Sequence, residues 1–215
     1  MSQAPPEAPK DCPLCPRLVA YREANARALP GCFNGAVPSF GDPAARLLVV
    51  GLAPGRMGAN RTGRPFTGDY AGDLLYATLL KFGFAQGEYK ADPGDGLTLV
   101  GAMISNAVRC APPENKPTPE EIKTCRPFLS SRISALPKLK VILALGSIAH
   151  ESVLRAHAMK PSDAKFGHAA EAQLIAGPVL VSSYHCSRYN TQTRRLTTEM
   201  FEAVMARAKA IADAR

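Results

Sequence analysis

Short apolar runs alternate along the chain with longer amphipathic segments. Leu47-Leu48-Val49-Val50 is hydrophobic throughout and breaks at Gly51, and 97–106, 141–146 and 179–184 have the same form. Such runs, with no polar alternation, predict buried strands of a parallel sheet covered on both faces. Between them apolar residues recur at three and four. Leu18, Tyr21, Ala24 and Ala28 predict a helix over 17–29 that stops at Pro30-Gly31; Leu74, Leu75, Thr78, Leu79 and Phe82 predict another that ends near Gly83. Thr118-Pro119 with Glu121 has the form of a capping box opening a helix that carries Cys125. Further helices are expected from Ser147 to about His157 and over 194–212, the last burying Leu196, Met200, Val204, Ala208 and Ile211. Residues 158–177 give no clear pattern. Strands alternating with helices predict an α/β fold, a single domain over 11–215 with a central, mainly parallel four-stranded sheet flanked by helices and right-handed crossovers. Residues 1–10, rich in Pro and Ala, are expected to be a disordered lead.

The segment after the first run is built for close approach to a polar ligand. Gly51, Gly55, Gly58, Gly63 and Gly68 allow tight turns and present N–H groups, and Asn60, Arg61, Arg64 and Asp69 add hydrogen bonds and charge around Phe66. Neither common phosphate loop fits. Three residues separate Gly51 from Gly55 and no lysine comes after them, which excludes a Walker loop; Ala53 stands where the dinucleotide fingerprint needs glycine. Asp69 and Asp73 fall at a helix start, where the dipole favours ionised carboxylates. Asn106 and His185 end the second and fourth apolar runs, and carboxyl ends of parallel strands are where open sheets bind ligands.

The 215 residues allow a substantial core, and Lys plus Arg exceed Asp plus Glu by 26 − 18 = 8. That excess favours a polyanionic partner through counterion release. No run is long enough to cross a membrane, and the N-terminus lacks the basic start and apolar centre of a signal peptide, so a cytoplasmic protein is expected. In that setting cysteines serve as thiolate ligands or redox groups more often than as structural disulfides. Cys12 and Cys15 form Cys-x-x-Cys, and Cys110 with Cys125 completes a set of four. Spacing leaves zinc, an iron-sulfur cluster and a thiol redox pair all open. Cys32 and Cys186 have no partner in this pattern.

Three segments carry a specific resemblance: Gly51-Leu52-Ala53-Pro54-Gly55 continued by 60–69, then 106–117 from Asn106 to Pro117, then 185–191 from His185 to Thr191. Together with Cys12-Pro13-Leu14-Cys15 they resemble the uracil-DNA glycosylase superfamily, and most closely its family 5 branch, over most of the chain. The resemblance implies a monofunctional DNA glycosylase, monomeric, that removes uracil and other deaminated bases from single- or double-stranded DNA. It also implies a structural 4Fe-4S cluster on Cys12, Cys15, Cys110 and Cys125. Gly51, Ala53 and Gly55 would surround the base, with Phe66 stacking on it, Asn106 reading its N3–H and O4 edge, and His185 bonding its O2 as negative charge develops. Asn60, Arg61, Arg64, Ser187, Arg188 and Tyr189 would meet DNA, as would Arg194 and Arg195; the loop after His185 would wedge the duplex.

The chain departs from the family in two respects. Leu52 and 57–59 are apolar or small where relatives carry a polar catalytic group, which shifts that burden to Asp69, with Asn60 second; Cys186 stands where relatives commonly have Pro after His. Two other readings remain: a damaged-DNA-binding protein of the same fold without turnover, and a thiol redox protein using Cys12 and Cys15.

Overall fold

The computed structural model describes residues 6–175 and 177–214. In chain order the elements are α1 (Pro16–Ala28), β1 (Phe40–Gly41), β2 (Leu47–Gly51), α2 (Ala59–Thr62), α3 (Tyr70–Lys81), β3 (Ala85–Gln86), β4 (Thr98–Leu99), β5 (Ala102–Asn106), α4 (Pro119–Ser134), β6 (Val141–Leu145), α5 (Ser147–Ala156), β7 (Glu171–Gln173), β8 (Val179–Ser183), α6 (Arg188–Gln192) and α7 (Thr198–Asp213). The main sheet runs β1-β5-β2-β6-β8-β7. Its four central strands are the expected parallel ones, with Val49 beside Ile104 on one side and Leu143 on the other. Two short antiparallel strands, β1 and β7, extend the edges.

Burial explains the unbroken apolar runs. In β2, Leu47 and Val49 face the layer formed by α3 and α7, whereas Leu48 and Val50 face the layer of α4 and α5. All four are fully buried, and each such side chain contributes roughly 1.5–3 kcal/mol. The capping box predicted at Thr118 is present, with Thr118 Oγ1 accepting from the Glu121 N–H and Glu121 from the Thr118 N–H.

Three expectations need correction. The run over 97–106 is not one strand: Thr98–Leu99 pairs with Ala85–Gln86 in a separate hairpin, and Gly101, at φ +61°, turns the chain into β5. Alternation of buried and exposed residues around the exposed Val100 is the trace of that break. The last helix begins at Thr198 rather than near Arg194, because Thr197 caps it and Arg194 adopts a left-handed φ of +57°. The lead is only partly outside the described residues. From Pro6 on it is packed, with Ala8 buried and the Glu7 carboxylate bonded to Arg109, Arg132 and the Ser39 N–H. Composition showed the prolines but not these distant cations.

Candidate active site

Strands β5 and β2 are neighbours and β8 lies beyond β6, and the carboxyl ends of these three with the start of α3 enclose a cavity of about 630 Å³. Gly51, at the end of β2, must be glycine. A Cβ there would sit 2.5 Å from Phe66 Cζ and 2.6 Å from Asn106 Oδ1, so its absence lets a ring and an amide meet at the cavity floor. Ala53, Gly55, Phe66, Asp69, Asn106, His185, Ser187 and Arg188 all line this cavity.

Phe66 is held in a conformation that most side chains avoid, at φ +53°. Such a backbone costs on the order of 1–3 kcal/mol and persists only when its surroundings fix it. Here Tyr76 Oη donates to the Pro65 carbonyl at 2.7 Å and Tyr89 Oη to the Phe66 carbonyl at 3.2 Å. Gly72 leaves room for that carbonyl, since a Cβ on it would lie 1.8 Å away. The ring is thereby fixed beside the His185 imidazole, with centroids 5.9 Å apart and planes 27° from parallel.

Asn106 is almost fully buried and its Oδ1 has no hydrogen-bond partner. Leaving a buried acceptor unpaired costs about 1–3 kcal/mol, so the cavity floor is incomplete without a donor. Burial pushes the His185 imidazole down to a pKa of about 4, which leaves it neutral at physiological pH with one N–H to donate. Its loop is tied at two points: Asn190 Nδ2 donates to the His185 carbonyl at 2.9 Å, and Cys186 Sγ donates to the Ala71 carbonyl at 3.4 Å. Cys186, where the family commonly has proline, is fully buried; burial pushes its thiol up to about 12, so it remains a neutral donor.

Asp69 caps α3, its Oδ1 accepting from the Gly72 N–H at 3.2 Å while Oδ2 faces Gly58. The helix start was expected to keep Asp69 ionised. The N–H groups of Gly72 and Ala71 do lower its pKa, but burial raises it by more, with Asp73 adding to the rise. Asp69 is therefore a more basic carboxylate than its cap position alone implies.

Two residues expected at DNA lie elsewhere. Asn60 is buried, its Nδ2 bonded to Asn34 Oδ1 at 3.0 Å, and so is neither a DNA contact nor a second catalytic group. Arg64 is also buried. Its guanidinium forms a fork to Asp95 at 2.8 and 2.7 Å, donates to Thr67 and lies over the rings of Phe40, Tyr76 and Tyr89. This pair holds Asp95 well below the usual carboxylate range. Arg61 is exposed but lines a separate depression with Lys10 and Phe33. Ser187 caps α6, Arg188 lies 5.3 Å from the Tyr70 ring centroid at the cavity rim, and Tyr189 is 71% exposed. Sequence reasoning missed Tyr21, Arg56, Tyr70, Glu114 and Asn115, which also line the cavity. Glu114 and Asn115 carry consecutive left-handed φ values of +54° and +57°, a conformation that only the Pro-rich flanks hint at.

Cys12, Cys15, Cys110 and Cys125 come from three distant segments and line one small apolar nest with Leu18, Val108 and Phe128. All are free thiols. Cys125 Sγ accepts from the Arg109 N–H at 3.3 Å, and Arg22 Nη1 lies 3.8 Å from Cys110 Sγ. Among the described residues, no group of three or more His, Cys, Asp or Glu is gathered tightly enough to hold a single metal ion. The donor set, four sulfurs with hydrogen-bond donors at two of them, is one that thiolate-bound metal groups use. No helix among the described residues is long and apolar enough to cross a membrane.

Residues 38–209 match the model of the Uracil DNA glycosylase superfamily. The chain is 48% identical over 206 residues to a type-5 uracil-DNA glycosylase of Thermus thermophilus, covering 94% of each chain. It is 41% identical over 209 residues to a type-5 uracil-DNA glycosylase of Mycobacterium tuberculosis, covering 94% of this chain and 78% of the relative. A type-4 uracil-DNA glycosylase of Pyrobaculum aerophilum is 34% identical over 146 residues, 67% of this chain and 60% of the relative.

Proposed function

The chain belongs to the uracil-DNA glycosylase superfamily, and from that premise we propose that it hydrolyses the N-glycosidic bond of uracil in DNA, the first step of base excision repair. The observation that carries this reading is the unpaired Oδ1 of Asn106, a residue that lines the cavity. Uracil, flipped from the duplex, offers an N3–H to that acceptor and an O4 to the amide nitrogen beside it. Cytosine presents the opposite pattern, an N3 acceptor and an N4 donor, and would leave the buried acceptor facing another acceptor. Phe66 stacks on the base and the neutral His185 donates to O2.

As the N1–C1′ bond breaks, the pair of electrons leaves with the base and positive charge builds on the sugar. A hydrogen bond from His185 to O2 stabilises the departing uracil anion, which later takes a proton from solvent. Asp69 orients water at C1′ and accepts its proton, a task suited to a carboxylate made more basic by burial. Hydroxide adds to C1′, leaving an abasic site. Among the described residues no lysine lines the cavity, so an imine intermediate and strand cleavage are not expected.

Cys12, Cys15, Cys110 and Cys125 would hold a 4Fe-4S cluster that ties three chain segments together and takes no part in bond cleavage. The test is release of free uracil from a defined oligonucleotide, with Asn106→Ala as the control. Release by the unaltered protein and its loss in the variant are expected. Tight binding of uracil-containing DNA with no base release would overturn the reading in favour of a damage-binding protein.

A further inference from the structure

Arg56 lies between Gly55 and Gly58 on the loop leaving β2, exposed, and is among the residues that line the base cavity. An exposed arginine ordinarily samples many rotamers. This side chain is held by one contact, Nε donating to Asn25 Oδ1 at 2.8 Å, and its backbone is held by another, the carbonyl accepting from Asn60 Nδ2 at 3.4 Å. Among the described residues its guanidinium has no carboxylate partner, so both terminal nitrogens remain open while the fork is fixed in orientation.

The Asn25 side of the contact is also unusual. Asn25 is 2% exposed in α1, and its Nδ2 is buried with no partner. Asparagine is a poor helix-interior residue, and an unpaired buried amide lowers stability. Its side-chain oxygen is committed to Arg56. Tyr21, one turn earlier on α1, lines the same cavity. Helix α1 therefore presents one face to the cavity and its rim.

We propose that Arg56 is a phosphate-binding residue of the pocket rim and that Asn25 is the positioning residue that holds its guanidinium for that contact. The inference rests on the uracil-DNA reading and adds to it a contact from the glycine loop, on the same cavity as Arg188. A fork with Nε tied and both terminal nitrogens free matches the two unesterified oxygens of a backbone phosphate flanking the flipped nucleotide. Because phosphates carry no sequence information, Arg56 would strengthen binding equally in every sequence context.

The test measures binding to a duplex carrying 2′-fluoro-2′-deoxyuridine, which resists hydrolysis, across a range of salt concentrations. Arg56→Gln should weaken binding about tenfold and reduce the slope of log K against log salt by about one. Asn25→Ala should weaken binding by about threefold in the native background and have no effect in the Arg56→Gln background. Unchanged affinity and slope in Arg56→Gln would overturn the proposal; additive losses would overturn the positioning role of Asn25. Arg56 is exposed, so its variant tests the contact even if Asn25→Ala folds poorly. Uracil release by the unaltered protein is scored separately, so failure of the glycosylase reading is distinguishable from failure of this one.

Discussion

The base cavity and the cysteine nest both begin at the carboxyl end of β5, at Asn106 and Cys110, yet they treat their polar atoms in opposite ways. In the cavity an amide oxygen is buried without a donor, an imidazole is held neutral, a carboxylate is made more basic and Phe66 is strained. In the nest the sulfurs of Cys125 and Cys110 have donors beside them and the walls are apolar side chains. A region completed by a transient ligand can carry unpaired groups between turnovers. A region that joins chain segments bears any such cost continuously, and there the unpaired buried nitrogen, Arg109 Nε, belongs to a side chain whose other two nitrogens are bonded to Glu7, Ser39 and Pro6. The two should therefore respond to mutation differently: the cavity loses chemistry while keeping the fold, and the nest loses the fold before the chemistry.

The largest effect expected is at Asp69. Asn caps a helix about as well as Asp, so Asp69→Asn preserves the bond to the Gly72 N–H while removing the buried charge. Base release should fall about 10²- to 10⁴-fold, the usual range for a general base. The stability change has the opposite sign. A carboxylate whose folded pKa is raised favours the folded state most below its unfolded pKa and loses that contribution as pH rises through the folded value. At neutral pH the ionised Asp69 is a burden, so Asp69→Asn should melt at or above the temperature of the parent. The same shift moves the acid limb of the rate profile upward from the ordinary aspartate value. Melting scans and single-turnover rates of one preparation check both.

Cys110→Ser should reverse that pattern. Losing one sulfur should lower the melting temperature by roughly 5–10 °C, taking about 2–3 kcal/mol and roughly 2–4 °C per kcal/mol for a chain of this size. Iron and sulfide content should fall with it, while the single-turnover rate per folded molecule at low temperature stays within about threefold of the parent, a factor worth less than 1 kcal/mol. A loss of rate at full stability would mean that the nest takes part in the chemistry and would break the comparison.

Sequence made the parallel centre of the sheet legible because fully buried strands leave unbroken apolar runs, and it located the cavity because Gly51, Asn106 and His185 stand where those runs end. The edge strands β1 and β7 are too short to leave such a signal. Charge was the weakest guide. Arg61 and Arg64 are equivalent in the sequence, but Asp95, far along the chain, draws Arg64 inward, and no local pattern announces that partner. Asn60 was misplaced for the same reason, since Asn34 approaches it only in the fold. Glu7 was overlooked because its partners, Arg109 and Arg132, are equally remote.

Arg61 and Arg64 supply the smallest expected effect on function and the finest test of the contrast between paired and open groups. Arg64→Gln leaves Asp95 buried without its counter-charge and should destabilise the protein by about 3 kcal/mol. Any fall in activity should then track the folded fraction, because Arg64 touches neither the cavity nor its rim. Arg61→Gln removes an exposed charge outside the cavity and should leave the melting temperature within about 2 °C, since surface substitutions of this kind stay within roughly ±0.5 kcal/mol. Its effect should appear only in DNA binding, as a loss of about twofold that vanishes at high salt where surface charges are screened. If Arg64→Gln instead kept full stability and lost DNA affinity, its fork to Asp95 would have to open on binding, and Arg64 would belong with the open groups of the cavity.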